Sequence, residues 1–206
     1  SGDSSCVIPA YTLTDDLRKK IKQNTKELAI KLNIKGLINI QFAIKNKTVY
    51  TLEVNPRSSR TVPFVSKVTD IPLAKYAAQI SAGLKIKELK IKKKGKGLIA
   101  VKKPVFPFNK FPQQNIFLSP EMKSTGEAIG FDNKLGSAFA KAEFSADSKL
   151  PTSGSIFISV NNNDKMKAIS IARDFEDLGF GVIATEGTSN LLNQNGVFAK
   201  NIFKVG

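Results

Sequence analysis

Residues 37–55 read LINIQFAIKNKTVYTLEVN, and the alternation in this stretch decides the fold of the first part of the chain. Ile38, Ile40, Phe42 and Ile44 fall on one side of an extended run, with Asn39 and Gln41 on the other. Tyr50, Leu52 and Val54 then alternate with Thr51, Glu53 and Asn55. Two runs of period two, meeting at Asn46-Lys47, predict a β-hairpin. For the two apolar rows to share a face, even positions must pair with even positions. A two-residue loop would set Gln41 against Leu52 and break that rule. The pattern therefore selects a three-residue loop, Asn46 to Thr48, with Gln41 opposite Glu53.

Working outward, the chain continues Pro56-Arg-Ser-Ser-Arg-Thr-Val-Pro-Phe-Val-Ser-Lys67. Two arginines thus follow a strand end that carries Glu53 and Asn55 on one face. Gln41, Glu53 and Asn55 would converge as three oxygen donors on adjacent strands. Such donors suit Mg²⁺, which takes its remaining ligands from water and substrate phosphates. Arg57 and Arg60 supply planar forks that match phosphate oxygens. On residue types alone, a solvated Glu followed by an ordinary Asn-Pro turn is the better reading of this stretch; the facing strand with Gln41 is what shifts the balance toward a metal and phosphate site.

Composition removes several chemistries. There is no histidine, which excludes Ser-His-Asp and Cys-His nucleophile systems and any His metal ligand within this chain. Cys6 is the one cysteine, so no internal disulfide forms, as fits a reducing cytosol. No apolar run is long enough to span a bilayer, and no leader pattern opens the chain. The 206 residues hold one or two domains of ordinary globular composition, 41% hydrophobic and 24% charged. The first residues, Ser1-Gly2-Asp3-Ser4, read as an internal piece of something longer. Net charge is +15, much of it in LKIKELKIKKKGKGLIAVKK, between Lys85 and Lys103. Such a run could grip nucleic-acid phosphates. No aromatic residue interleaves it, so it lacks a stacking platform and reads as a solvated basic linker.

Thr14, followed by Asp15 and Asp16, opens a helix to about Leu32 with Leu17, Ile21, Leu28 and Leu32 on one stripe. Pro72 opens another, carrying Leu73, Tyr76, Ala77, Ile80 and Leu84. Both stripes are expected to face a core. Residues 85–127, rich in Lys, Pro and Phe, read as irregular chain. A helix over about 133–147 carries Leu135, Phe139, Ala142 and Phe144. A boundary near Ser148 divides the chain into domains 1–147 and 148–206. The second reads βαβα: a strand Ser155–Val160, a helix Asp164–Leu178 with Ile169, Ala172, Phe175 and Leu178 inward, a strand Gly181–Ala184, and another helix start. Thr185, Gly187 and Thr188 lie where a strand ends and a helix begins. Free N–H groups and hydroxyls there suit an anion, although Glu186 would repel one; a plain capped turn is the alternative.

The strings NPRSSRTVPFVSK, QFA, LEVNP, VFPFNKFP and PEMKSTGE, in that family's order, resemble the large subunit of carbamoyl-phosphate synthase from end to end of this chain. The resemblance implies an α/β chain: the end of the second ATP-grasp half, α+β in character, then a partial Rossmann-like domain similar to methylglyoxal synthase. It implies a cytoplasmic ligase that phosphorylates carbamate with ATP and Mg²⁺ or Mn²⁺, for arginine and pyrimidine biosynthesis. Gln41, Glu53 and Asn55 would hold metal, with Glu53 bridging two ions and Gln41 and Glu53 also touching nucleotide. Arg57 and Arg60 would steady the transferring phosphoryl group, and Ser1 would touch the ribose. Lys165, Thr185, Thr188 and Lys204 would hold a nucleotide-monophosphate effector. The implied partners are the glutaminase small subunit and the rest of the large subunit, with neither nucleic acid nor membrane. Asp3 matches an acidic position of the family's ornithine site, but Lys103 stands where bacterial relatives generally carry Glu, so ornithine activation is not expected. The glycine-rich part of the ATP-grasp fold is not in this sequence, so this polypeptide alone is not expected to run the full reaction. The alternative is an incomplete fragment that only binds a phosphate-bearing effector.

Overall fold

The hairpin forms with Asn39–Lys45 as β2 and Thr48–Asn55 as β3, antiparallel, and Gln41 does face Glu53. The route to that register differs from the expected one. Lys45 pairs with Thr48, so the loop has two residues, Asn46 and Lys47, at φ of 50° and 61°. Positive φ at both central positions matches the right-handed twist of the strands. Pairing then jumps from Phe42↔Thr51 to Gln41↔Glu53, leaving Leu52 as the extra residue of a β-bulge. The expected third loop residue is therefore in the strand. Leu52 is 66% exposed and Tyr50 is exposed too, so the shared apolar face holds only near Val54 and Ile40.

The computed structural model describes residues 2–91, 97–111, 113 and 116–203. It divides into two units, Ser1–Lys149 and Leu150–Gly206. In the first, β1 (Cys6–Ile8), β4 (Ile99–Val105) and β5 (Gly126–Asp132) form an antiparallel sheet in the order β1-β4-β5. Successive β4 residues point to opposite faces. Ala100 packs with Phe64 and Val68 of α2 (Thr61–Thr69), while Val101 packs with Ala138 and Ala142 of α4 (Leu135–Ser145). The sheet thus lies between α2 and α4. Helix α1 (Asp15–Lys31) starts where expected, with Thr14 Oγ1 accepting from Leu17 N, and α3 (Leu73–Ser81) follows Pro72.

Several expectations need correction. Residues 85–127 are not irregular throughout: they include β4 and the start of β5, and Lys102 and Lys103 are strand residues, not linker. The Lys and Pro in IAVKKPV hide the strand because each lysine has an acidic partner. The segment TVPFVSKVT is helix α2, an element the sequence analysis did not assign. None of the α1 or α3 stripe residues is fully buried, and Leu32 and Leu84 are exposed. On α4 the buried line is Ala138–Ala142 with Glu143, while Phe139 and Phe144 are exposed. The reason is Gly130 on β5: a Cβ there would fall on Ala138 O and Ala142 N, so helix and strand touch backbone to backbone along the alanines. Phe106 and Phe108 stack at 5.0 Å.

In the second unit β6 (Ser155–Ile158), β7 (Gly181–Thr185) and β8 (Ala199–Ile202) run parallel in the order β6-β7-β8. Strand β8, sequence AKNI, was not expected; its short polar run carries little β signal. Helices α5 (Lys165–Asp177) and α6 (Glu186–Gln194) pack with Ala172, Val182, Ala184 and Leu192 in the core. Ile169 lies against this cluster, and Phe175 meets Phe180 edge-on at 5.5 Å. Leu178 is 70% exposed, contrary to expectation, because α5 has already ended at Asp177. Among the described residues no helix is long and apolar enough to cross a membrane.

Candidate functional site

The hairpin and the strand end place Asn39, Gln41, Glu53 and Asn55 on one face, as two facing pairs, Asn39↔Asn55 and Gln41↔Glu53. All four line a cavity of about 500 Å³ in the first unit. Gln41 Nε2 donates to Glu53 Oε2 at 3.0 Å, and Asn55 Nδ2 donates to Glu53 Oε1 at 2.7 Å. Both carboxylate oxygens are thus held by neighbouring amides. This is the bulge's doing: without the extra Leu52, Glu53 would turn to the opposite face.

After Asn55 the chain turns sharply, with Arg57 N donating to Asn55 O at 2.8 Å. Arg57 and Arg60 both reach the cavity wall. Arg60 touches Met122 Sδ and lies 3.4 Å from Ser124 Oγ. The structure therefore brings Gln41, Glu53, Asn55, Arg57 and Arg60 together; Ser1 lies outside the described residues. Sequence reading missed Asn39, Lys102 and Glu127, which line the same cavity. Asn39 was legible in principle, since the register that pairs Gln41 with Glu53 also pairs Asn39 with Asn55. Lys102 and Glu127 come from β4 and β5, far away in sequence, and carried no local signal.

The donor set fits a divalent cation. Glu53 is a carboxylate, and Gln41 and Asn55 each carry an amide oxygen that a half-turn of the terminal torsion brings to where the nitrogen now sits. These are the hard oxygen donors that Mg²⁺ and Mn²⁺ take. Among the described residues no group of three His, Cys, Asp or Glu side chains gathers to hold a metal unaided. A cation held here would draw its other ligands from phosphate oxygens, beside the two arginines.

Asp3 anchors the chain at the cavity rim. Its carboxylate accepts from Lys123 N and Ser124 N, both at 2.9 Å, and Ser124 Oγ donates to Gly2 O. The Lys123 N–H foremost, with Ser124 adding to it, holds this carboxyl below its ordinary value. A group whose folded pKa is lowered contributes above the unfolded value and loses that contribution as pH falls through the folded one. In an acid titration followed by NMR, the Lys123 and Ser124 amide signals should shift with a midpoint below 3.8. A midpoint at or above that value, or no shift, contradicts the anchor. Lys103, expected to face an amine site, instead pairs with Glu143 at 2.6 Å.

In the second unit a separate cavity of about 500 Å³ is lined by Lys165, Thr185, Glu186, Gly187 and Thr188, among others. Thr185 precedes α6 without a side-chain cap bond, so its hydroxyl does not close the first turn. Thr188 is buried there. Lys165, at the start of α5, lies so near Gly187 that a Cβ would come within 2.9 Å of its Nζ. Glu186 is exposed and shares the wall. Lys204 lies outside the described residues.

Comparison with known proteins first defines the class. The fold resembles the biotin carboxylase domain of a single-chain bacterial carboxylase, with TM-score 0.55 and 14% identity over 68% of this chain and 39% of that one. Residues 1–89 match the model of the carbamoyl-phosphate synthase L chain, ATP binding domain, and residues 167–206 match the MGS-like domain. The chain is 52% identical to the carbamoyl phosphate synthase large chain of Archaeoglobus fulgidus, over all of this chain and 19% of that protein. It is 48% identical to that of Acidobacterium capsulatum, over 100% and 19%. It is 45% identical to the C-terminal section of the large chain from Aquifex aeolicus, over 100% and 41%. The chain is thus similar from end to end to a segment of the carbamoyl phosphate synthase large chain. It spans about a fifth of the full-length relatives it matches.

Proposed function

We propose that this chain supplies the metal- and phosphate-binding wall of an ATP-dependent ligase site that phosphorylates carbamate. The observation that carries the reading is the bulge-set cluster of Gln41, Glu53 and Asn55, facing one cavity with Arg57 and Arg60. In the reaction one bond forms between a carbamate oxygen and the γ-phosphorus of ATP. The bond from phosphorus to the β,γ-bridging oxygen breaks, and that oxygen leaves on ADP. No proton need move through a side chain, so positioning and charge neutralisation suffice. Mg²⁺ or Mn²⁺, when bound, would neutralise phosphate charge and fix its geometry. Glu53 would orient such an ion with the amide oxygens of Gln41 and Asn55, while Arg57 and Arg60 would hold phosphoryl oxygens.

On this reading the chain works as residues 1–147, a synthetase part, joined to residues 148–206, an effector part. The rest of the large chain would complete the nucleotide site and a glutaminase small subunit would deliver ammonia, all in the cytoplasm. The product would feed arginine and pyrimidine synthesis. The test is the reverse reaction: the polypeptide carrying these residues should make ATP from carbamoyl phosphate and Mg·ADP. ATP formation that is independent of divalent metal would contradict the proposal.

The second cavity favours an effector role for residues 148–206. Lys165, Thr185 and Thr188 would hold the phosphate of a nucleotide monophosphate at the start of α6. Lys165→Ala should weaken nucleotide-monophosphate binding about tenfold, the scale of one charge-assisted contact. Calorimetry reads this directly, and unchanged affinity would remove Lys165 from the site.

A further inference from the structure

Lys102 is a buried cation that the reading above leaves unused. It sits on β4 with 3% of its surface exposed, on the same face as Ala100, and lines the cavity of Gln41, Glu53 and Asn55. An ammonium has three donors. Among the described residues its acceptor is Glu127 Oε1, at 3.4 Å, from β5. The next residue shows what a closed structural pair looks like here. Lys103 points to the α4 face, away from the cavity, and meets Glu143 at 2.6 Å. Two adjacent lysines thus have different fates: one is tightly paired under a helix, the other loosely paired at a cavity wall. Burying an ammonium is costly unless its donors are met, and one long contact meets them poorly. A ligand carboxylate in the cavity would meet the rest.

We propose that Lys102 binds the carboxylate of the small acid that is phosphorylated, with Glu127 as the counter-charge that holds the ammonium in place when the cavity is empty of that acid. The proposal rests on the reading of Glu53 and its amides as the polyphosphate end of the same cavity. The division of labour is then by charge. Arg57, Arg60 and a metal at Glu53 take phosphate, and Lys102, from a different sheet, takes the carboxylate. A cation fixed there orients the attacking oxygen and does not itself exchange a proton.

The test compares two stable probes on the whole chain. Phosphonoacetate carries a phosphonate and a carboxylate; methylphosphonate carries the phosphonate alone. Lys102→Met should weaken phosphonoacetate at least tenfold by calorimetry and leave methylphosphonate within twofold. Lys102→Arg should recover most of the loss. Because Lys102→Met strands the half-buried Glu127 carboxylate, the pair Lys102→Met/Glu127→Gln, which removes both charges of the pair, should show the same selective loss if the single variant does not fold. Failure of the wild-type chain to bind phosphonoacetate overturns the proposal. Equal loss of both probes, or loss of neither, also overturns it. Mg·ADP binding to Glu53→Ala, measured alongside, reports separately on the polyphosphate end.

Discussion

Glu53→Ala should abolish the divalent-metal dependence of ADP binding and lower the rate of ATP formation from carbamoyl phosphate by a factor on the order of 10³. The size follows from what the residue does. Its two oxygens sit between the Gln41 and Asn55 amides, at 3.0 and 2.7 Å, so they are the one anionic point in this cluster. Without them the amides are neutral, and a cation among phosphates loses its protein anchor. Loss of several kcal/mol of charge stabilisation in a phosphoryl transfer corresponds to about three orders of magnitude. The fold should be little affected, because Glu53 is exposed. Glu53→Gln keeps the shape and should fail nearly as badly, whereas Gln41→Ala should cost only about tenfold. Steady-state rates with Mg²⁺ and Mn²⁺ check all three. Equal activity of Glu53→Ala and the unaltered protein would refute the assignment.

Gly130→Ala should destabilise the first unit by about 3 kcal/mol, the upper range for a forced fit in a packed interior. The added methyl would meet Ala138 O and Ala142 N, which are helix backbone and cannot turn aside. Helix α4 would have to lift off β5, opening the Val101, Ala138 and Ala142 cluster and disturbing the nearby Lys103–Glu143 pair. For a unit of this size the melting temperature should fall by about 10 °C. Gly136, in the same helix with nothing within 4 Å of an added Cβ, is the control. Gly136→Ala should be neutral or stabilising by up to about 1 kcal/mol. Similar melting temperatures for the two variants would mean that the close approach at Gly130 is not what sets the position of α4.

Much of this was legible wherever the signal is local. The hairpin, the capped start of α1 at Thr14, the start of α3 after Pro72, and the α5–β7–α6 run all follow from period and punctuation in short windows. The Gln41–Glu53 register was legible too, since it follows from residue counts. Counting cannot say whether the extra residue sits in the turn or in the strand, and it sits in the strand as Leu52. The misses at β4 and α4 share one cause. Strand β4 reads IAVKKPV, and its lysines are tolerable only because Glu127 and Glu143 arrive from β5 and α4. Phe139 and Phe144 look like core until Gly130 brings the helix so close that only alanines fit between. Such facts depend on partners in other elements, which periodicity does not see. Distance in sequence hid Lys102 and Glu127 from the reading of the site.

The most direct measurement is a Mn²⁺ titration of the ADP-bound chain, followed through the side-chain amide signals of asparagine and glutamine. Paramagnetic broadening falls off steeply with distance, so it reports which amides lie beside the ion. Gln41 and Asn55 should broaden first, Asn39 should follow, and Glu53→Ala should remove the effect. If the first signals to broaden lie elsewhere, or if those of Gln41 and Asn55 persist at saturating Mn²⁺·ADP, the cluster does not hold the metal and the proposed site falls with it.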